Sequence, residues 1–222
     1  MDNNGTILYV HGMGGGSDSR IPSILNDCFS GREGPDIVVR TYDFNPETAQ
    51  KQLLSWIKEL KPSLLVGESL GAVHALALSI NAGKEGMTMS AMPVILVSPA
   101  LNAPRFFHDF AFLSLVPGVA RLLDKVYAPK PGDRQTPDFS YHLLRKWKPV
   151  RDTALSGIGR IRTHAFFGRH DHYRRSGIVS LRLWKRVCGS GTYTLYDGTH
   201  FMEEEFVRTM LKEKIVEMLE LC

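Results

Sequence analysis

Cysteine is scarce in this chain: Cys28, Cys188 and Cys222 are widely separated and odd in number, and none belongs to a C-x-x-C pair. That excludes a disulfide-stapled scaffold and fits idle or structural thiols in a reducing compartment. Long hydrophobic runs are missing too, so no membrane span is read. Met1-Asp2-Asn3-Asn4 leads directly into Ile7-Leu8-Tyr9-Val10 without a basic n-region or a small-residue cleavage pattern. No signal peptide is therefore read, and the expected location is cytoplasmic. There is no internal repeat or low-complexity tract. The phosphate-cradling pattern G-x-x-x-x-G-K-[ST] does not occur, and neither does an H-x-x-x-H pair for a metal.

An excess of either charge sign is nearly lacking, with a net of only +4 over 222 residues. It is unevenly placed. Between Leu101 and Val150, eight bases face four acids, so this segment carries the whole excess and the remainder is balanced. The length is that of one large domain with room for a substantial core.

Short apolar runs alternate with longer amphipathic stretches, which predicts a mostly parallel sheet of about six strands covered by helices on both faces, an α/β architecture. The runs are Thr6 to Val10, Ile37 to Tyr42, Ser63 to Val66, Pro93 to Val97, Thr163 to Phe167 and Thr192 to Tyr196. A helix is expected from Pro46 to Leu60, with Asn45 as its cap and Pro46 in its first turn. Another is expected from Glu203 to Leu221, opening on three glutamates that suit a positive helix terminus. Residues 101–160 break the alternation with several prolines and two aromatic clusters. They read as an inserted helical cap on a core made of 1–100 and 161–222.

The most telling motif is Gly67-Glu68-Ser69-Leu70-Gly71, set between the apolar run ending at Val66 and the helix-forming stretch from Ala72 to Ile80. Strand, Gly-x-Ser-x-Gly and helix in that order read as a sharp elbow that exposes the serine as a nucleophile, with glycines where side chains would collide. Ligands of an open parallel sheet bind beyond the carboxyl ends of its strands. Chemistry-bearing residues cluster there: His11-Gly12-Met13-Gly14-Gly15-Gly16, then Gly67 to Gly71, then Gly168-Arg169-His170-Asp171-His172, then Asp197-Gly198-Thr199-His200.

With these motifs the chain resembles the alpha/beta-hydrolase superfamily, closest to its compact single-domain bacterial serine esterases. The resemblance covers nearly everything outside 101–160. It departs by lacking the antiparallel strands that usually open the fold. The resemblance implies a catalytic triad of Ser69 as nucleophile, His200 as base and Asp171 as the acid orienting the imidazole, in that superfamily's chain order. It implies an oxyanion hole from the backbone N–H groups of Met13 and Leu70, with His11 and Gly12 supporting that loop. No cofactor and no metal are implied. His170-Asp171-His172 has metal-ligating residue types, but adjacent side chains of an extended loop point apart. Asp197 is a rival acid, close in sequence to His200. Glu68 stays unassigned, and His74 reads as packed or solvated.

The implied activity is hydrolysis of a small-molecule carboxylic ester or thioester. Aromatic residues in 101–160 suit an apolar acyl or aryl group, and its bases, Arg105, Arg145 and Lys148 among them, suit an anionic one. The alternatives are a same-fold C–C hydrolase, lyase or perhydrolase, and a non-catalytic binding module. A nucleic-acid partner is not expected, and the sequence leaves the oligomeric state open.

Overall fold

A computed structural model describes residues 5–31, 34–82, 92–189 and 191–220. Leu221, expected in the last helix, and Cys222 lie outside the described residues. Six strands, β1 (Thr6–Val10), β2 (Asp36–Val39), β3 (Leu64–Glu68), β4 (Val94–Val97), β5 (Thr163–Gly168) and β6 (Thr192–Tyr196), form one sheet in the order β2-β1-β3-β4-β5-β6. Every pairing is parallel. The inner strands have to be apolar on both sides, because helices cover both faces. All four residues of β4 and all six of β5 are buried, whereas the edge strand β6 is largely open to solvent until Tyr196.

Alternation along the strands sorts the core into two layers. Leu8, Val10, Leu65, Leu96 and Phe167 face one side, where α2 (Pro46–Leu60), α3 (Gly71–Ala82), α6 (Tyr141–Ser156) and α8 (Leu181–Val187) cover them. Ile7, Tyr9, Val66, Ile95 and Phe166 face the other, under α1 (Arg20–Cys28) and the C-terminal helix. That last helix runs from α9 (Glu204–Phe206) through a π-helical turn (Val207–Leu211) into α10 (Lys212–Glu220). The helix α3 is apolar all round because it is sandwiched between sheet and helices; its first ten residues are buried. The amphipathic α2 begins as its sequence requires, with the Asn45 side chain accepting the Glu47 N–H and Pro46 in the first turn.

Within 101–160 lie α4 (Ala103–Phe110), a 3-10 turn (Ala111–Leu115), α5 (Val119–Val126), an irregular stretch and α6. The parts differ in character. Helix α6 packs on α3 and α4 and sinks Trp147 completely into the main core, despite Pro149 within it. Helix α5 buries none of its residues. The irregular stretch returns to the start of the chain, where Gly16 bridges Arg134 and the Gln135 N–H donates to the Gly15 carbonyl at 2.8 Å.

Strand β1 connects through α1 outward to β2, and β2 then crosses back through α2 to β3 on the other side of β1. The two neighbours β1 and β3 therefore send their connections in opposite directions, opening a crevice above their carboxyl ends. The glycine-rich loop 12–16 and the serine elbow meet there.

Candidate active site

Ser69 sits directly after β3 with φ of +50°, a left-handed conformation that a non-glycine residue adopts only when its surroundings hold it. Its N–H donates to Val97 O at 2.9 Å and its carbonyl accepts from the Ala100 N–H at 3.0 Å, so β4 and the turn beyond it fix the elbow. The flanking glycines are steric necessities. A Cβ on Gly67 would stand 2.8 Å from Ala72 Cα, and one on Gly71 would stand 2.2 Å from Val10 O and 2.3 Å from His11 O. Gly71→Ala is accordingly expected to destabilise the protein by about 3 kcal/mol, since both obstacles are backbone. Gly14→Ala meets no atom within 4 Å and bears only the strain of its positive φ, an expected cost of about 1 kcal/mol. Urea-unfolding midpoints of the two variants check the contrast.

His200 lies beyond β6 in a loop pinned on three sides. The Tyr196 hydroxyl donates to Thr199 O at 2.7 Å, Glu203 accepts the Thr199 N–H at 3.0 Å, and the Arg20 guanidinium of α1 donates to Met202 O at 2.6 Å. Asp171 follows β5, with Oδ1 accepting the Tyr173 N–H at 2.8 Å. Gly168 lets these two loops touch, because a Cβ there would come within 2.3 Å of Thr199 O.

The result is a continuous hydrogen-bonded line. His200 Nε2 lies 2.9 Å from Ser69 Oγ, and His200 Nδ1 lies 2.8 Å from Asp171 Oδ2. The Asp171 side chain is fully buried and that of His200 is 5% exposed. The carboxylate requires the proton on Nδ1, which leaves Nε2 as an acceptor for the serine hydroxyl. The Tyr173 ring meets the imidazole edge-on at 4.7 Å and limits its tilt.

The rival acid is placed elsewhere: Asp197 Oδ1 pairs with His170 Nε2 at 2.9 Å on the surface. His170 and Asp171 thus point apart, and among the described residues no three His, Cys, Asp or Glu side chains are arranged to hold a metal ion. Met13 and Leu70 flank Ser69 in the cavity wall. Among the described residues, neither of their N–H groups donates to a protein acceptor. Gly12 brings the first loop close, for a Cβ on it would be 3.1 Å from Ser69 Cβ.

His11 lies behind that loop, fully buried, with Nδ1 donating to Gly12 O at 2.8 Å and its ring stacked on Tyr42 at 4.2 Å. Burial pushes its pKa down to about 4. His74, on α3, is buried as well and its Nδ1 accepts from Gln50 Nε2 at 2.7 Å. Burial, with the nearby His11, pushes its pKa down to about 3. Glu68 extends under the site, where Oε2 accepts the Tyr9 hydroxyl at 2.7 Å; burial raises its pKa.

Sequence reasoning missed Gln135 and Arg20. Gln135 holds the glycine loop through Oε1 from the Gly14 N–H at 3.4 Å, while its Nε2 donates to Tyr42 O at 3.2 Å. Nothing local in the sequence marks either residue, because each acts on a loop more than a hundred positions away.

Above Ser69 opens a cavity of about 810 Å³. Its wall is mostly apolar, Phe106, Phe107, Phe139 and Leu144 included, and its charges are Asp18, Arg20, Glu68, Lys130 and Arg134. Of the bases expected to meet an anionic group, Lys130 and Arg134 line this wall, whereas Arg105, Arg145 and Lys148 lie outside it. Arg105 pairs with Asp109, Lys148 pairs with Asp152, and Arg145 donates to the Tyr141 hydroxyl.

Among solved structures, the chain is similar to a monoacylglycerol lipase from Paleococcus ferrophilus, with a TM-score of 0.63 and 20% identity over 97% of this chain and 95% of that one. It is similar to BorB, a type II thioesterase from the borrelidin biosynthetic cluster, with a TM-score of 0.59 and 17% identity over 98% and 92%. An esterase from Pyrococcus furiosus gives a TM-score of 0.57 and 14% identity over 99% and 83%. No family model and no curated protein matches the sequence. The parallel sheet, the elbow and these likenesses define the class: the chain has the alpha/beta-hydrolase fold.

Proposed function

We propose that this protein is a serine hydrolase that cleaves carboxylic esters or thioesters through an acyl-enzyme on Ser69. The observation that carries the proposal is the unbroken line from Ser69 Oγ through His200 to buried Asp171, at 2.9 and 2.8 Å. In the first half-reaction Ser69 Oγ attacks the carbonyl carbon while its proton passes to His200 Nε2. The Met13 and Leu70 N–H groups receive the developing oxyanion. Such backbone donors need no reorganisation as charge develops, and losing one typically costs about 3 kcal/mol of transition-state stabilisation. The imidazolium then protonates the departing alcohol or thiol, and Asp171 balances its charge. Water, deprotonated by the same nitrogen, releases the acid and restores Ser69.

Support for an apolar acyl or aryl group comes from the aromatic wall, which can remove such a group from water beside the nucleophile. The likeness to a lipase, an esterase and a thioesterase supports keeping both ester and thioester substrates in the proposal. In this reading residues 101–160 act as a cap, with α4 and α5 as its roof. A fluorophosphonate probe is expected to label the native protein at Ser69, with the adduct located by peptide mass spectrometry. Failure of labelling in folded protein would count against a reactive serine. A panel of oxygen and sulfur esters of increasing acyl length then separates the two substrate classes through kcat/KM.

A further inference from the structure

The apolar surface that folding leaves uncovered is concentrated on one stretch of chain. Phe112 is 56% exposed, Leu115 64%, Leu122 60% and Val126 64%, and Phe110 and Val116 are also open. All lie between residues 110 and 127, where α5 packs on the preceding 3-10 turn. A lone exposed leucine is ordinary, but six large apolar side chains on contiguous elements are not.

The charges on α5 are arranged with them. Leu122 and Val126 form one i,i+4 row and Arg121 and Lys125 the row beside it, all four exposed. Among the described residues neither cation has an ion pair. The helix's single acid is turned away, with Asp124 Oδ1 accepting the Phe139 N–H at 2.9 Å. The nearest acid on α4, Asp109, is paired with Arg105.

We propose that the 110–127 face docks reversibly on an anionic lipid surface. An apolar row inserts among acyl chains while an adjacent cationic row meets the headgroups, the arrangement by which a helix lies in a bilayer interface. No helix among the described residues is long and apolar enough to cross a membrane, so the contact is peripheral. A second copy of the chain is a poorer occupant, because a two-fold contact through α5 would bring Arg121 and Lys125 toward their own counterparts. The same elements also line the cavity over Ser69, through Phe110, Leu113, Leu123 and Tyr127. Docking would therefore set the cavity roof against the bilayer. That last step rests on the hydrolase reading, whereas docking itself does not.

Co-sedimentation with phosphatidylglycerol-containing and pure phosphatidylcholine vesicles tests the proposal, using both the native protein and Ser69→Ala so that loss of catalysis leaves the readout intact. Both proteins are expected to sediment with the anionic vesicles and to be released by salt. Arg121→Gln and Lys125→Gln should each weaken that binding by about fivefold. Leu122→Asp with Val126→Asp should abolish it while leaving turnover of a soluble short-chain ester unchanged, since neither side chain lines the cavity. Absence of sedimentation with anionic vesicles would overturn the proposal. So would binding that these variants leave intact, or a concentration-dependent dimer that Leu122→Asp with Val126→Asp dissolves.

Discussion

Ser69→Ala is expected to lower kcat for an activated ester by about 10⁶-fold with little change in the denaturation midpoint, as for triads in which nucleophile and base act as a unit. The hydroxyl lies in the cavity wall within 2.9 Å of His200 Nε2, and alanine leaves the backbone of Ser69 and its bonds to Val97 and Ala100 in place. His200→Ala should cost nearly as much, and the double variant no more than either single one, because the serine proton then has no acceptor within 2.9 Å. Asp171→Asn should cost about 10⁴-fold, since an amide at a position 2.8 Å from Nδ1 favours the wrong tautomer. Pre-steady-state measurements of the acyl-enzyme burst separate these steps. Purified Ser69→Ala that retains turnover would refute the proposed mechanism.

Much of this was legible before any coordinates. Strands β1 and β6 and helix α2 have the limits their patterns predict, because each is bounded by turn residues or a cap and keeps a clean period. Strand β2 is shorter than expected, ending at Val39 rather than Tyr42. Tyr42 leaves the sheet to stack on His11, so an apolar side chain that read as strand serves the loop beside it. Helix α1 escaped notice because only nine residues carry its apolar face and a glycine-rich loop precedes it. The candidate site residues could be singled out by order along the chain, since in a parallel sheet every loop after a strand rises at the same edge. What holds those loops was hidden. The Tyr9 hydroxyl reaching Glu68, Arg20 reaching Met202 and Gln135 reaching the glycine loop depend on three-dimensional closeness that no local spacing encodes. Trp147 shows the same limit from the other side: it read as part of an insertion, but it is fully buried against α3 and belongs energetically to the core.

Acidification should unfold this protein well before its carboxylates are all protonated. His11 and His74 are held neutral by burial, with pKa values of about 4 and about 3 in the folded chain, against about 6.5 when unfolded. The folded value is the lower one for both, so below pH 6.5 the unfolded chain binds more protons and stability falls as pH falls. The loss continues until the folded values are reached, near pH 4 for His11 and near pH 3 for His74, and stops growing below them. Above pH 6.5 neither residue contributes any pH dependence. Each is expected to add a slope of about 1.4 kcal/mol per pH unit within the window, and at pH 4 each has removed about 3 kcal/mol. Two such losses rival the whole stability of an ordinary domain. His164, also buried and lowered to about 4, acts in the same direction. Glu68 opposes them, because its raised folded pKa makes the native state the better proton binder just above the ordinary carboxylate range. Urea unfolding at intervals from pH 7 to pH 4 measures the slope, and His74→Gln should reduce it by about one proton. A slope unchanged in that variant would show that His74 is not the residue forced to take up a proton. His11 stacks on Tyr42 and bonds the carbonyl of Gly12, so its protonation should loosen the glycine-rich loop, the proposed oxyanion loop, first. The proposed esterase activity is therefore expected to fail at a higher pH than global unfolding, and following both signals across one acid titration distinguishes the two events.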